Sequence, residues 1–320
     1  MSMDRKKFLA TFTTLTTGLL AGAHSNSLAR KNSTTTDTAD KVITILHTND
    51  THSRIKPFPK SAGDLAGLGG YASRAALIKQ IRKNQPDVLL LDAGDMFQGT
   101  PYFNFYKGEL ELELMSNMEY DAAAIGNHEF DNGVQGFADV APKANFPFLC
   151  SNYYVKETPM EPFIENFMIK EFDTITIGVF GLGIAFENLI LESLHKGVKY
   201  RDAKLLAEAM VRSLRDYHSC DYIICLSHLG YRYEDGRVSD WKIAQEVDGI
   251  DLIIGGHTHT FLDEPVRIKK TGASDTLITQ VGWGGVILGR LDLHFSADRS
   301  LKKAVAANTI VDTNNTIKKT

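Results

Sequence analysis

A chain of 320 residues, 43% hydrophobic and 23% charged, has the composition of ordinary globular proteins and excludes the disordered and collagen-like classes. A net charge of −4 lacks the basic excess that sequence-independent binding to a nucleic-acid polymer requires. The three cysteines are an odd number, so at least one has no partner within the chain. A strand-like run separates Cys220 from Cys225 and would hold them roughly 16 Å apart at about 3.3 Å per residue, so buried thiols are expected rather than a disulfide framework.

The first elements in chain order are not part of the fold. Arg5, Lys6 and Lys7 precede a mostly apolar run, residues 8–23, and Ser27-Leu28-Ala29 places small residues at the spacing of a cleavage site. The run holds 16 residues and five threonines, whereas a spanning helix needs about 20 mainly apolar ones. Residues 1–29 are therefore expected to be an export signal, with a relaxed twin-arginine pattern in Arg5-Lys6-Lys7-Phe8-Leu9. The mature protein is then periplasmic or extracellular, without a membrane span. Losing the segment removes three of the 35 basic and one of the 39 acidic residues, moving the net charge from −4 to −6. Residues 30–41 read as a flexible lead-in.

From residue 42 onward, short apolar runs end in clusters of Asp, Asn, Gly or His, and helical patterns often follow. Strands are predicted at 42–46, 88–91, 122–125, 146–149, 175–180, 222–226, 252–254, 277–281 and 291–295, and helices at 71–82, 109–118, 134–144, 202–218 and 241–247. Apolar runs of this length alternating with helices indicate an α/β fold whose strands are buried between helical layers, and nine strands suffice for two packed sheets. No linker or internal repeat divides residues 42–312, which read as one domain. It closes with a short strand near 309–311 and a frayed tail, residues 313–320.

Five apolar runs lead directly into polar clusters: Asp50-Thr51-His52, Gly94-Asp95, Gly126-Asn127-His128-Glu129, Ser227-His228 and Gly255-Gly256-His257-Thr258-His259. Ligands of open α/β sheets bind beyond the carboxyl ends of strands, so these exits can converge at one rim. Two carboxylates, an amide oxygen and four imidazoles, with no thiolate, suit Zn, Mn, Fe or Co better than Ca or Mg. Seven donors exceed one tetrahedral site and suit two ions sharing a bridging carboxylate about 3.5 to 4 Å apart.

The ordered set Asp-x-His, Gly-Asp, Gly-Asn-His-Glu, a lone His after a strand, and Gly-His-x-His resembles the calcineurin-like metallophosphoesterases. His47-Thr48-Asn49-Asp50-Thr51-His52 and Gly126-Asn127-His128-Glu129-Phe130-Asp131 are similar to the 5'-nucleotidase branch. The resemblance covers residues 42–296 and implies a four-layer αββα sandwich. It further implies that Asp50, His52, Asp95 and His259 bind one divalent ion, and that Asp95, Asn127, His228 and His257 bind a second, with Asp95 as the bridge. A hydroxide shared by the ions would attack phosphorus in line. His128 would act as acid or transition-state stabiliser, held by Asp131, and Asn127 and His128 would contact a small phosphoester substrate, most plausibly a nucleotide. The second, substrate-binding domain typical of that branch has no counterpart in these 320 residues. Either a separate chain supplies it or leaving groups are weakly selected.

Other residues carry milder readings. His47 lies in an apolar strand as a core histidine; His195, His218 and His294 stand outside any motif; Glu129 fits a hydrogen-bonding support. Gly67-Leu68-Gly69-Gly70 lacks the strand of a dinucleotide fingerprint and reads as a helix entry. The aromatic group Phe97, Tyr102, Phe103, Phe105 and Tyr106 either belongs to the core or covers a pocket, with Phe103 as the candidate base-stacking ring. The rival functions are cyclic-nucleotide or nucleotide-sugar hydrolysis at the same centre, and a metal-stabilised nucleotide-binding subunit without activity.

Overall fold

The computed structural model describes residues 41–313. The expected export segment 1–29, the lead-in up to residue 40 and the tail from residue 314 lie outside the described residues. In chain order the principal elements are β1 (Lys41–Thr48), α1 (Tyr71–Asn84), β2 (Val88–Asp92), α2 (Pro101–Tyr106), α3 (Glu109–Asn117), β3 (Ala122–Ala124), α4 (Gly133–Val140), β4 (Phe148–Leu149), β5 (Tyr153–Tyr154), β6 (Ile164–Glu165), β7 (Phe167–Phe172), β8 (Ile175–Leu182), β9 (Lys199–Tyr200), α5 (Ala203–Arg212), β10 (Tyr222–Ser227), α6 (Asp240–Glu246), β11 (Leu252–Gly255), β12 (Val266–Ile268), β13 (Thr276–Thr279), β14 (Ile287–Phe295), β15 (Leu301–Ala306) and β16 (Thr309–Ile310).

One large sheet has the order β15-β14-β1-β2-β3-β4-β6, with β16 paired to β14; a second runs β12-β13-β11-β10-β8-β7, and β5 pairs with β9 in a two-stranded ribbon. Side chains alternate faces along each strand, so every central strand supplies two layers. Ile43, Ile45, Leu89 and Leu91 from the first sheet meet Ile177, Val179, Ile224 and Ile254 from the second in the inter-sheet core. Leu46, Leu90 and Ala123 face the other way, against Ile78, Leu112, Met115 and Phe137 of α1, α3 and α4. On the far side, Ile223, Cys225 and Ile253 pack against Ala207, Val211 and Ile243 of α5 and α6. Burial on both faces explains why these strands read as unbroken apolar runs, and it yields the αββα sandwich.

The differences from expectation lie at the edges. β1 begins at Lys41, one residue inside the anticipated lead-in. β7 and β15 went unrecognised because each is an edge strand with charged residues in its run, Lys170-Glu171 in β7 and the exposed Leu301-Lys302-Lys303 in β15. The helix expected at 202–218 is α-helical only to Arg212 and closes in a wider π-type turn, Ser213–Tyr217; the Asp202 side chain caps its start by accepting from Leu205 N at 2.9 Å. α4 stops at Val140, ahead of Pro142. All three cysteines are buried and unpaired.

Candidate metal centre

The five polar clusters leave five parallel strands at their carboxyl ends. β1, β2 and β3 are mutually parallel in one sheet, β10 and β11 in the other. Their exits bring the seven proposed donors together. Asp50, His52 and His259 have ligand atoms within 4.8 Å of one another, as do Asp95, His228 and His257; a third group joins His52 and Asp95 to His128. Asp95 therefore stands between the groups. His257 Nδ1 lies 2.8 Å from Asn127 Oδ1, which adds the amide to the second group.

The backbone bends sharply to achieve this. Asp50, His52, Asp95, His257 and His259 all have positive φ, between 46° and 69°. Asp and His enter the left-handed region more readily than bulkier side chains but still lose stability there. Glycines permit the close approach of the turns: a Cβ on Gly94 would lie 2.7 Å from Gly126 N, and one on Gly126 would overlap the Asp95 carboxylate.

Glu129 ties two of these turns together. Its buried carboxylate accepts from Asp95 N at 2.9 Å, Met96 N at 3.0 Å and Gly126 N at 2.7 Å. Asp50 is held by its neighbours: Oδ2 accepts from Asn49 Nδ2 at 2.6 Å, and both carboxyl oxygens lie 3.0 Å from His257 N. Its Oδ1 lies 3.4 Å from His259 Nε2 and 4.0 Å from both His52 Nε2 and His228 Nε2.

The donor chemistry fits divalent cations. His228 Nδ1 donates to the Ala93 carbonyl at 2.7 Å, which turns Nε2 inward; that nitrogen is buried, 3.0 Å from Asp95 Oδ2, and has no hydrogen-bond partner. Backbone-oriented imidazole is how proteins fix a ligating nitrogen. Burial disfavours charge on His228 and Asp95 alike, yet each stabilises the other: His228 is raised above the ordinary histidine range and Asp95 held well below the usual carboxylate range. His257 is lowered to about 4 by burial and by the neighbouring His228, which keeps it neutral and able to coordinate.

His128 is set apart by its partners. Its backbone N donates to Asp95 Oδ1 at 2.9 Å, and its Nδ1 lies 2.9 Å from Asp131 Oδ2. Burial works against the imidazolium, but the Asp131 hydrogen bond and the Asp95 charge raise its pKa to about 9. It therefore carries a proton at neutral pH.

Phe103 corrects the sequence-based reading. It is 6% exposed and packs on Phe97 at 5.6 Å between ring centroids, so it offers no free face to a base. Its neighbours in the same short helix do face solvent: Phe105 is 81% exposed, and Tyr102 and Tyr106 line an open cavity of about 780 Å³ with Lys56 and Pro101. Four residues beside the donors were missed by sequence reasoning. Asn49 and Gln280 bond the donor-bearing loops, Thr258 joins them, and the Trp283 indole stacks on His259 with 14° between planes. Gln280 follows an apolar run and precedes Gly282-Trp283-Gly284-Gly285, which is the same signal as the five clusters recognised above.

The comparisons agree with this geometry. The Calcineurin-like phosphoesterase family model matches residues 43–261. A snake venom 5'-nucleotidase of Gloydius brevicauda is 34% identical over 273 residues, covering 79% of this chain and 45% of its own length. The 5'-nucleotidase of Bos taurus is 37% identical over 229 residues, covering 69% and 38%. The crystal structure of a 5'-nucleotidase precursor from Thermus thermophilus superposes with a TM-score of 0.77 at 29% identity, covering 86% of this chain and 55% of that one. The chain thus spans about half or less of the length of these relatives. Over that span, fold, family match and clustered donors agree: the chain belongs to the calcineurin-like phosphoesterase family.

Proposed function

We propose that this chain is an exported hydrolase that cleaves phosphomonoesters of nucleotides with two divalent ions. Asp50, His52, Asp95 and His259 would hold one, and Asp95, Asn127, His228 and His257 the other. The observation that carries the reading is Asp95, a buried carboxylate with a ligand atom within 4.8 Å of one on His52 and, on the other side, of those on His228 and His257. The O and N donors without thiolate favour Zn, Mn, Fe or Co. When bound, the ions neutralise phosphate oxygens and acidify the water that attacks phosphorus.

The remaining work falls to side chains of this chain. Asp131 accepts from His128 Nδ1, fixing the ring and leaving Nε2 to offer its proton to the departing alkoxide. Glu129 keeps the Asp95 turn in register, and the Asn127 amide contacts a phosphate oxygen.

Elemental assay of the purified chain should find two ions, and adenosine monophosphate should release phosphate. A chain that binds no ion, or hydrolyses neither monoesters, cyclic nucleotides nor nucleotide sugars when loaded, overturns the reading. Equal KM for adenosine monophosphate and p-nitrophenyl phosphate would place base recognition outside this chain; a lower KM for the nucleotide would place it within.

A further inference from the structure

Resting on the two-ion reading, we infer that residues 280–284 form a strap that positions both donor-bearing loops, with Gln280 and Asn49 as its positioning side chains. The strap is the exit of β13, which runs parallel to β11 and so delivers a sixth strand end to the same rim. It carries no ligand of its own.

Gln280 is fully buried. Its Oε1 accepts from Thr260 N and from Thr258 Oγ1 at 3.2 Å, while its Nε2 donates to Gly256 O at 2.8 Å. One amide thus grips residues 256, 258 and 260, the positions that alternate with His257 and His259. Both histidines have left-handed backbone, which no sheet ladder stabilises, so the loop's shape depends on such side-chain bonds. Gly282 N adds a bond to Thr260 O at 2.9 Å.

The strap's other side meets the first donor loop. Asn49 Oδ1 accepts from Val281 N at 2.9 Å, and its Nδ2 donates to Gly282 O and Asp50 Oδ2, each at 2.6 Å. Gly284 N donates to Asp50 O at 2.7 Å. Asn49 engages the Asp50 oxygen other than the one nearest His259 Nε2, and thereby sets the turn of the carboxylate.

The test is calorimetric titration of metal-free protein with Mn²⁺ and with Zn²⁺, which reads affinity without needing turnover. Gln280→Leu keeps volume and removes all three bonds; because His257 and His259 serve different ions, both binding steps should weaken about 10- to 100-fold. Asn49→Ala should weaken only the step that uses Asp50. Gln280→Glu keeps the acceptor for Thr258 and Thr260 and should recover part of the loss. Wild-type affinity in Gln280→Leu and Asn49→Ala overturns the inference, as does equal weakening of both steps by Asn49→Ala. Should Gln280→Leu not fold, Gln280→Glu and Asn49→Ala decide by the same readout. A wild-type chain that binds neither ion refutes the two-ion reading instead, which separates the two failures.

Discussion

The two sheets bring unlike chemistry to the rim they share. The β1, β2 and β3 exits contribute both carboxylates, the amide and one imidazole; the β10 and β11 exits contribute imidazoles alone. Neither sheet alone supplies the whole proposed donor set, so the proposed centre is an inter-sheet junction, with both carboxylates on one side and imidazoles alone on the other. His128, raised to about 9, sits on the acidic side; across the junction His257 is lowered to about 4, whereas His228, beside Asp95, is raised.

The largest effect should come from breaking the junction at the atom both halves use. Asp95→Asn should lower turnover about 10⁴-fold, since several kcal/mol of charge stabilisation would go with it; steady-state kinetics with retained activity would refute a shared carboxylate. Next, His128→Ala should lower kcat about 10²- to 10⁴-fold with ion content unchanged, and elemental assay beside kinetics separates proton donor from ligand.

Away from the rim the comparison should vanish. Phe103→Ala should destabilise the fold by about 3 kcal/mol through a core cavity and leave KM unaltered at a temperature where the variant stays folded; a raised KM would restore the ring to the substrate. Withdrawing both ions from wild-type protein should lower Tm by about 10 to 20 °C, because loss of two ligands, each at about 100 times its Kd, removes about 5.4 kcal/mol. A smaller shift in scanning calorimetry would mean that the sheets hold their spacing without the junction.

The smallest effect concerns His47, buried in β1 with its pKa lowered to about 3 by burial. The unfolded chain takes up a proton below about 6.5 that the folded chain refuses, so stability is intact above that pH and falls below it. Between pH 7 and 5.5 wild type should lose about 1 kcal/mol more than His47→Gln, measured by urea unfolding. Equal pH slopes would exclude that contribution.

The legibility of the fold in the sequence follows burial. Strands covered on both faces, such as residues 222–226, are apolar throughout and stand out; β15 shows one face to water and β7 carries Lys170 and Glu171 within its run, so neither does. The proposed donor residues stood out because each follows such a strand within a few positions. Phe103 was left between core and pocket because a dense aromatic group does not reveal which rings point inward, and a helix turns neighbours to opposite faces. Gln280 left no spacing signal toward Gly256, since its bonds cross 24 positions of sequence and depend on the sheet pairing between β11 and β13.

The left-handed backbone at five of the seven proposed donor positions sets a boundary for anyone seeking a hardier version of this molecule. Glycine would relieve roughly 1 kcal/mol at each such position, so a stability screen blind to chemistry would favour glycine there first. The substitutions most attractive for heat resistance are thus the ones that erase the reactive centre, and robustness must be sought in the helical layers instead.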